Sequence, residues 1–416
     1  MIPNLPVDPA RIAEDIADLA AITEPDQPWT RRSFTPMFLR GRDYLTRRFK
    51  AAGLETRIDA AGNLIGRRRG KVPGRGTIMV GSHSDTVPGG GRFDGIAGVS
   101  VALEIARSLG DRGIVLEHDL EVVDYLAEEV SVFGISCVGS RALVGTLTPE
   151  TLARQVDGVT LAEAIASVGG DPAKLGAPLR TDIKACLELH IEQGTVLEEA
   201  HQAVGVVSAI AGITRIEIVV VGRADHAGTT RMGHRLDALA AGARLVLGVE
   251  AIATRLAAGP KHFAATVGEF TIEPGAANVI PARARLLIDA RAEVRPDMLA
   301  FVAEVQALAQ SVAAETGVSI DPPVTISDNL PTPGDAHVLD VLDAACDAVG
   351  ARHRRMASGA GHDTAWMARV SRSAMIFIPC LGGRSHSPEE FASTDDIALG
   401  AAVLLEAVQR LDRELA

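Results

Sequence analysis

The sequence predicts an α/β protein of two domains. A catalytic domain is built on a central mixed sheet flanked by helices, and an α+β domain is inserted into it. Three observations carry this. The chain has 416 residues, beyond the roughly 250–300 at which a single core stops growing. Short apolar runs end on polar, metal-capable residues and are separated by Ala/Leu-rich helical stretches, the pattern of an α/β sheet. Between about residues 213 and 328 the order changes to β-α-β-β-α, which implies a small sheet with an antiparallel component.

Taken in order, residues 8–24 and 36–52 read as helices with Asp and Pro at their starts. Residues 77–81 (Thr-Ile-Met-Val-Gly) form a buried strand that enters a Gly-rich loop, and 95–109 follow at helical spacing. Residues 120–127 are a second buried strand ending at Glu128-Glu129, and 185–190 a third ending at His190. In open α/β sheets, ligands bind outside the carboxyl ends of the strands. The insert has an alternating strand at 214–222, a helix at 235–257, strands near 262–272 and 283–292, and a helix at 296–316. A Pro/Asp-rich stretch near 321–333 marks the return, and a strand at 374–378 rejoins the first domain and supplies His386. The expected division is 1–212 with 329–416 for the catalytic domain and 213–328 for the insert.

Bulk properties narrow the function. A net charge of −12 argues against nucleic acid or an anionic membrane as partner, since either needs a basic face. The runs Arg67-Arg68-Arg69 and Arg352-His353-Arg354-Arg355 are short and read as solvated. Aromatics make up 3%, so the core rests on Ala, Leu, Val and Ile. Cys137, Cys186, Cys346 and Cys380 stand far apart with no CxxC, which suggests free buried thiols in a reducing compartment. The first residues show no basic-then-apolar leader, and no apolar run reaches the roughly 18 residues of a membrane span. A cytoplasmic enzyme is expected.

The chemistry concentrates in Gly81-Ser-His-Ser-Asp-Thr-Val-Pro-Gly-Gly-Gly-Arg-Phe-Asp-Gly95. It places His83, Asp85 and Asp94 close together, and the acidic pair Glu128-Glu129, His190 and His386 follow. These are the residue types that hold two zinc-like ions and activate a water. One residue separates His83 from Asp85, so on a strand they face the same way and Asp85 could orient the imidazole. Asp94 has two oxygens and could bridge two cations. Adjacent Glu128 and Glu129 at a strand end could divide the roles of base and ligand, and two buried like charges are costly unless a metal offsets them.

These segments resemble the M20 metallopeptidase-like amidohydrolases. They are most similar to the branch of N-carbamoyl-L-amino acid hydrolases, β-ureidopropionases and allantoate amidohydrolases. The matching pieces also include Leu189-His-Ile-Glu-Gln-Gly194, Asp225-His-Ala-Gly-Thr-Thr230, Gly275-Ala-Ala-Asn-Val-Ile-Pro281, Ser358-Gly-Ala-Gly-His-Asp363 and Ser385-His-Ser-Pro-Glu-Glu390. The resemblance implies a zinc-peptidase-like catalytic domain and an insert that acts as lid and dimerisation domain. It implies two divalent ions per subunit, Zn or Mn, Co or Ni. One would be held by His83, Asp94 and His190, the other by Asp94, Glu129 and His386. Glu128 would be the general base, with Asp85 orienting His83. His226 would stabilise the oxyanion in the partner subunit of a homodimer. Asn278 and Arg291, with Arg215 as a further anion contact, would bind the substrate carboxylate, and Gln193, Gly359 and Gly361 would line the ureido or acyl pocket. The implied reaction is hydrolysis of an N-carbamoyl-L-amino acid or related ureido acid to amino acid, CO2 and ammonia. Allantoate or an N-acyl-L-amino acid is the alternative substrate, and a silent binding protein on the same fold is the remote one. His190 stands where the superfamily's exopeptidases carry an acidic ligand. Val130, Arg231, Cys380 and Arg384 depart from the branch pattern. The two added arginines suggest a substrate with an extra carboxylate.

Overall fold

The computed structural model describes residues 5–176 and 179–415. They form two compact units: residues up to 208, 334–356 and from 362 on, and residues 209–333 with 357–361. The expected boundaries at 212/213 and 328/329 lie within a few residues of these. The short segment Ala357–Gly361, expected in the catalytic part, groups with the second unit, where Ala211 N–H donates to Ser358 O at 2.8 Å.

The first unit is built on a mixed sheet. Its strand order is Glu55–Ile58, Leu64–Arg68, Asp119–Tyr125, Thr77–His83, Ile183–Ile191, Arg372–Ile378, Val204–Ile210. The four from Asp119–Tyr125 to Arg372–Ile378 run parallel, and those flanking them antiparallel. Parallel strands covered on both faces read as unbroken apolar runs. Thr77–His83 is buried along its whole length, with Ile78 and Val80 in one core and Met79 in another. The helices Pro9–Ala21, Ile96–Asp111 and Thr394–Glu414 supply Leu19, Val99, Leu103, Leu404 and Val408 to the first of these cores. Asp8 accepts the amides of Ala10 and Arg11, and Thr35 that of Phe38, so the caps expected ahead of Pro9 and Pro36 are formed.

The second unit is an antiparallel sheet in the order Phe263–Glu273, Arg283–Ala292, Gly212–Val221, Ser319–Ile320, with Val324–Asp328 also on Gly212–Val221. Its strands alternate: Ile216, Ile218 and Val220, and Leu286, Ile288 and Ala290, are buried. They pack in one core with Leu245 and Val249 of helix Ala238–Ala257 and Phe301 and Val305 of helix Arg295–Thr316.

One expectation is corrected. Arg68 is not solvated: its guanidinium donates to Ala52 O, at the end of helix Pro36–Ala51, and to Ala106 O in helix Ile96–Asp111. The returning stretch 321–333 also carries the strand Val324–Asp328. All four cysteines are free and buried. Among the described residues no helix is long and apolar enough to cross a membrane.

Candidate metal centre

Each of the four parallel strands delivers a side chain at or just beyond its carboxyl end. His83 closes Thr77–His83, His190 lies one residue from the end of Ile183–Ile191, Glu128 and Glu129 follow Asp119–Tyr125, and His386 follows Arg372–Ile378. Asp94 sits in the loop between Thr77–His83 and helix Ile96–Asp111. The next residue must be glycine. Gly95 has φ +65°, and a Cβ there would lie 2.4 Å from the His83 ring.

Asp94 is the hub. Its Oδ1 lies 3.4 Å from His83 Nε2 and 3.2 Å from His190 Nε2. Its Oδ2 lies 3.5 Å from His386 Nε2, and that ring nitrogen is 3.3 Å from Glu129 Oε1. Two ligand sets result, His83/Asp94/His190 and Asp94/Glu129/His386, with Asp94 common to both. The geometry suits cations. His83 Nδ1 is 3.1 Å from Asp85 O, and His190 Nδ1 is 2.9 Å from Ile191 O. A carbonyl only accepts, so each Nδ1 carries a proton, and in the neutral ring each Nε2 turns its lone pair toward Asp94. His83 Nε2 is buried with no hydrogen-bond partner. A lone pair facing a carboxylate calls for positive charge between them, a proton or a metal ion, and imidazole with carboxylate is a donor set that fits divalent metal.

The electrostatics show the same demand for positive charge around Asp94. Burial works against the Asp94 charge, but His190 and His83 outweigh it and hold the carboxyl well below its ordinary range. Burial also opposes protonation of His83, yet Asp94, Glu128 and Asp85 raise it well above the usual imidazole value. The hydrogen bond to Glu129 pushes His386 up to about 9. Burial, then Glu129 and Asp363, push Glu128 well above the ordinary carboxyl range.

Asp85 meets the His83 ring chiefly through its backbone. Its backbone oxygen, not its carboxylate, meets His83; the nearest carboxylate approach is 3.7 Å. The carboxylate instead accepts the amides of Glu128 at 3.2 Å and Glu129 at 3.3 Å and so fixes the acidic pair. Gln193, expected in a substrate pocket, donates to Asp94 Oδ2 at 2.7 Å and Ser385 Oγ at 3.1 Å. Glu390, given no role from the sequence, is buried and accepts the amides of Phe93 and Asp94 and the hydroxyl of Ser385. His362 packs its ring against His190 with centroids 4.6 Å apart. Both stand in motifs quoted above, but nothing local in the sequence marks them as buried.

The other expected residues lie in the second unit. Arg215 and Arg291 both reach Asp289, at 3.2 Å and 2.9 Å, and Arg291 also donates to Gly359 O at 2.8 Å. His226 Nδ1 accepts Gly228 N–H at 3.0 Å, which leaves the ring proton on Nε2. Residue 226 bridges Val279, and Asn278 O accepts Ala227 N–H, so His226 and Asn278 lie on adjoining segments. Arg231, also in this unit, is exposed, whereas Arg384 belongs to the first unit and lies 3.7 Å from Glu389.

Peptidase family M20/M25/M40 matches residues 79–410. The chain belongs to this family. It is 38% identical to the N-carbamoyl-L-amino-acid amidohydrolase of Paenarthrobacter aurescens over 414 residues, 97% of this chain and 98% of that one. It is 36% identical to a ureidoglycolate hydrolase of Oryza sativa subsp. japonica, over 97% of this chain and 85% of that one. Among solved structures, an amidase of the hydantoinase/carbamoylase family from Burkholderia multivorans matches with a TM-score of 0.89 at 34% identity, over 98% of each chain. The family's central mixed sheet flanked by helices is the fold described above.

Proposed function

We propose that this chain hydrolyses the carbon–nitrogen bond of an N-carbamoyl-L-amino acid or a related ureido acid, giving amino acid, carbon dioxide and ammonia. Its family makes it a metal-dependent hydrolase of carbon–nitrogen bonds other than peptide bonds. The observation that carries the finer reading is Asp94, whose two oxygens face two separate histidine-containing ligand sets. His83, Asp94 and His190 would hold one ion, and Asp94, Glu129 and His386 the other. When bound, such ions lower the pKa of water and offset negative charge on the reacting oxygen. Zn, Mn, Co and Ni all suit imidazole and carboxylate ligands.

Glu128 takes a proton from the attacking water as its oxygen bonds to the ureido carbon. The carbon–nitrogen bond then breaks, and Glu128 returns the proton to the leaving nitrogen. Burial and the neighbouring acids give this carboxyl a raised proton affinity, which suits both halves of the cycle. His226 donates from Nε2 to the developing oxyanion of the partner subunit, with residues 209–333 serving as lid and dimerisation domain. Arg291, supported by Asn278 and Arg215, holds the substrate carboxylate in a fork geometry that Lys lacks. Gln193, Gly359 and Gly361 line the ureido pocket, and the enzyme works in the cytoplasm.

The test is ammonia and free amino acid release by metal-loaded protein, with Glu128→Gln as blank. The panel holds N-carbamoyl-L-amino acids, N-carbamoyl-β-alanine, allantoate, ureidoglycolate and N-acyl-L-amino acids. Turnover of an N-carbamoyl-L-amino acid, abolished in Glu128→Gln, is expected. Turnover of allantoate or N-acyl compounds alone would keep the mechanism and replace the substrate. Absence of bound metal would refute the mechanism.

A further inference from the structure

The carboxylate of Glu128 has two distinguishable oxygens. Oε2 lies 3.7 Å from His83 Nε2 and faces the ligand cluster. Oε1 receives the thiol of Cys137, with Sγ at 3.4 Å. The cysteine is held rigidly. Its amide donates to Glu128 O at 2.9 Å, Val138 N to Ala127 O at 3.0 Å and Gly139 N to Leu126 O at 2.7 Å. These bonds tie segment 137–139 to the strand-end segment 126–128. Cys137 and Ala127 both adopt left-handed backbone, φ 54° and 51°, a strain that persists only where surrounding contacts enforce it. Ser140 adds a further tie: its hydroxyl donates to the buried Asp363 carboxylate and lies 3.3 Å from Cys137 O.

We infer that Cys137 is a positioning residue for the base: its thiol pins Glu128 Oε1 so that Oε2 stays turned toward the attacking water. That role rests on Glu128 being the base proposed above. A general base must be within hydrogen-bond reach of the proton it removes, and a carboxylate free to rotate spends much of its time misaligned. A thiol suits the task because it is a weak donor. It orients the oxygen without the strong stabilisation of the anion that a charged or backbone donor would bring, so the base keeps its proton affinity. Burial pushes the Cys137 thiol up, so it remains a donor rather than a second anion against Glu128.

Two measurements on the metal-loaded protein test this. With the ureido substrate found in the panel, Cys137→Ala should lower kcat about tenfold while KM stays within about twofold, because alignment rather than binding is lost. Cys137→Ser, which restores a donor but a stronger one, should recover part of kcat. Wild-type kcat in Cys137→Ala, or equal loss in both variants at full metal content, would overturn the role. The second measurement needs no substrate and no folded alanine variant. The infrared S–H band of Cys137, assigned by its loss in Cys137→Ser, should shift when Glu128→Gln replaces the carboxylate by an amide. An unmoved band would also overturn it. Full activity of Glu128→Gln would remove the base and this role together. An inactive Glu128→Gln beside a fully active Cys137→Ala would remove the thiol's role alone.

Discussion

Asp94 shows how much a single side chain carries. Oδ1 faces two imidazole nitrogens, while Oδ2 faces His386 and accepts from Gln193. An amide has one oxygen, so Asp94→Asn keeps one ligand set and must turn donor hydrogens toward the other. Affinity for at least one ion should fall by more than the roughly 10–100-fold that losing a supporting contact costs. Elemental analysis after dialysis checks this, and two retained ions would refute the shared-ligand role. His386 gives a pH test. Its folded value is raised to about 9, chiefly by Glu129, from an ordinary value near 6.5. In metal-free protein the His386–Glu129 pair is therefore fully stabilising below about 6.5 and is lost as the pH rises through 9. A metal needs the neutral ring, so uptake should strengthen toward pH 9 by up to about tenfold per unit for one released proton. Binding isotherms for Mn between pH 6.5 and 9 read this directly, and a flat profile would remove His386 from the ligand set.

At the scale of elements, the site depends on how closely helix Ile96–Asp111 approaches the strands beneath it. A Cβ on Gly98 would lie 2.3 Å from Leu189 O and 2.6 Å from Ser82 Cβ. Helix propensity alone says Gly→Ala should stabilise by about 1 kcal/mol. Here the clash is with strand backbone one residue before His190, so Gly98→Ala should destabilise by roughly 1–3 kcal/mol. Thermal unfolding decides the sign, and a higher Tm would refute the contact. The same elements show what the sequence reveals. Strands doubly covered by helices leave unbroken apolar runs, so Thr77–His83, Ile183–Ile191 and Arg372–Ile378 were legible within a few residues. The alternating strands and two long helices of the second unit were legible for the same reason. Val324–Asp328 was not, because it is exposed, short and set among Pro and Asp. The ligand types were legible from order and chemistry, but their supports were not. Glu390 looks like surface charge until Phe93 and Asp94, nearly three hundred residues earlier in the chain, meet its carboxylate. Asp85 reads as a partner for His83 from its place in the sequence, but that its backbone oxygen makes the contact while its carboxylate accepts the amides of the acidic pair is visible only in the fold.

At the scale of the whole molecule, the proposed mechanism places a complete ligand set in the first unit and its oxyanion donor, His226, in the second. If His226 serves the partner's site, activity belongs to the dimer and two different inactive chains can repair one another. Take Glu128→Gln and His226→Ala, each inactive as a homodimer. In a mixed dimer, the site on the His226→Ala subunit has its own Glu128 and borrows an intact His226 from the Glu128→Gln subunit. The other site lacks both groups. Random re-pairing of equal amounts makes half the dimers mixed, each with one working site of two, so activity should return to about a quarter of wild type. If His226 instead acts within its own chain, every site in the mixture lacks one group and nothing returns. The experiment is unfolding and refolding the two variants together, or co-expressing them with different tags and isolating the mixed dimer. Recovery near a quarter in the re-paired mixture, or near a half in the isolated mixed dimer, would establish a shared active site. No recovery in an isolated mixed dimer would place His226 in its own subunit's site or outside the chemistry altogether.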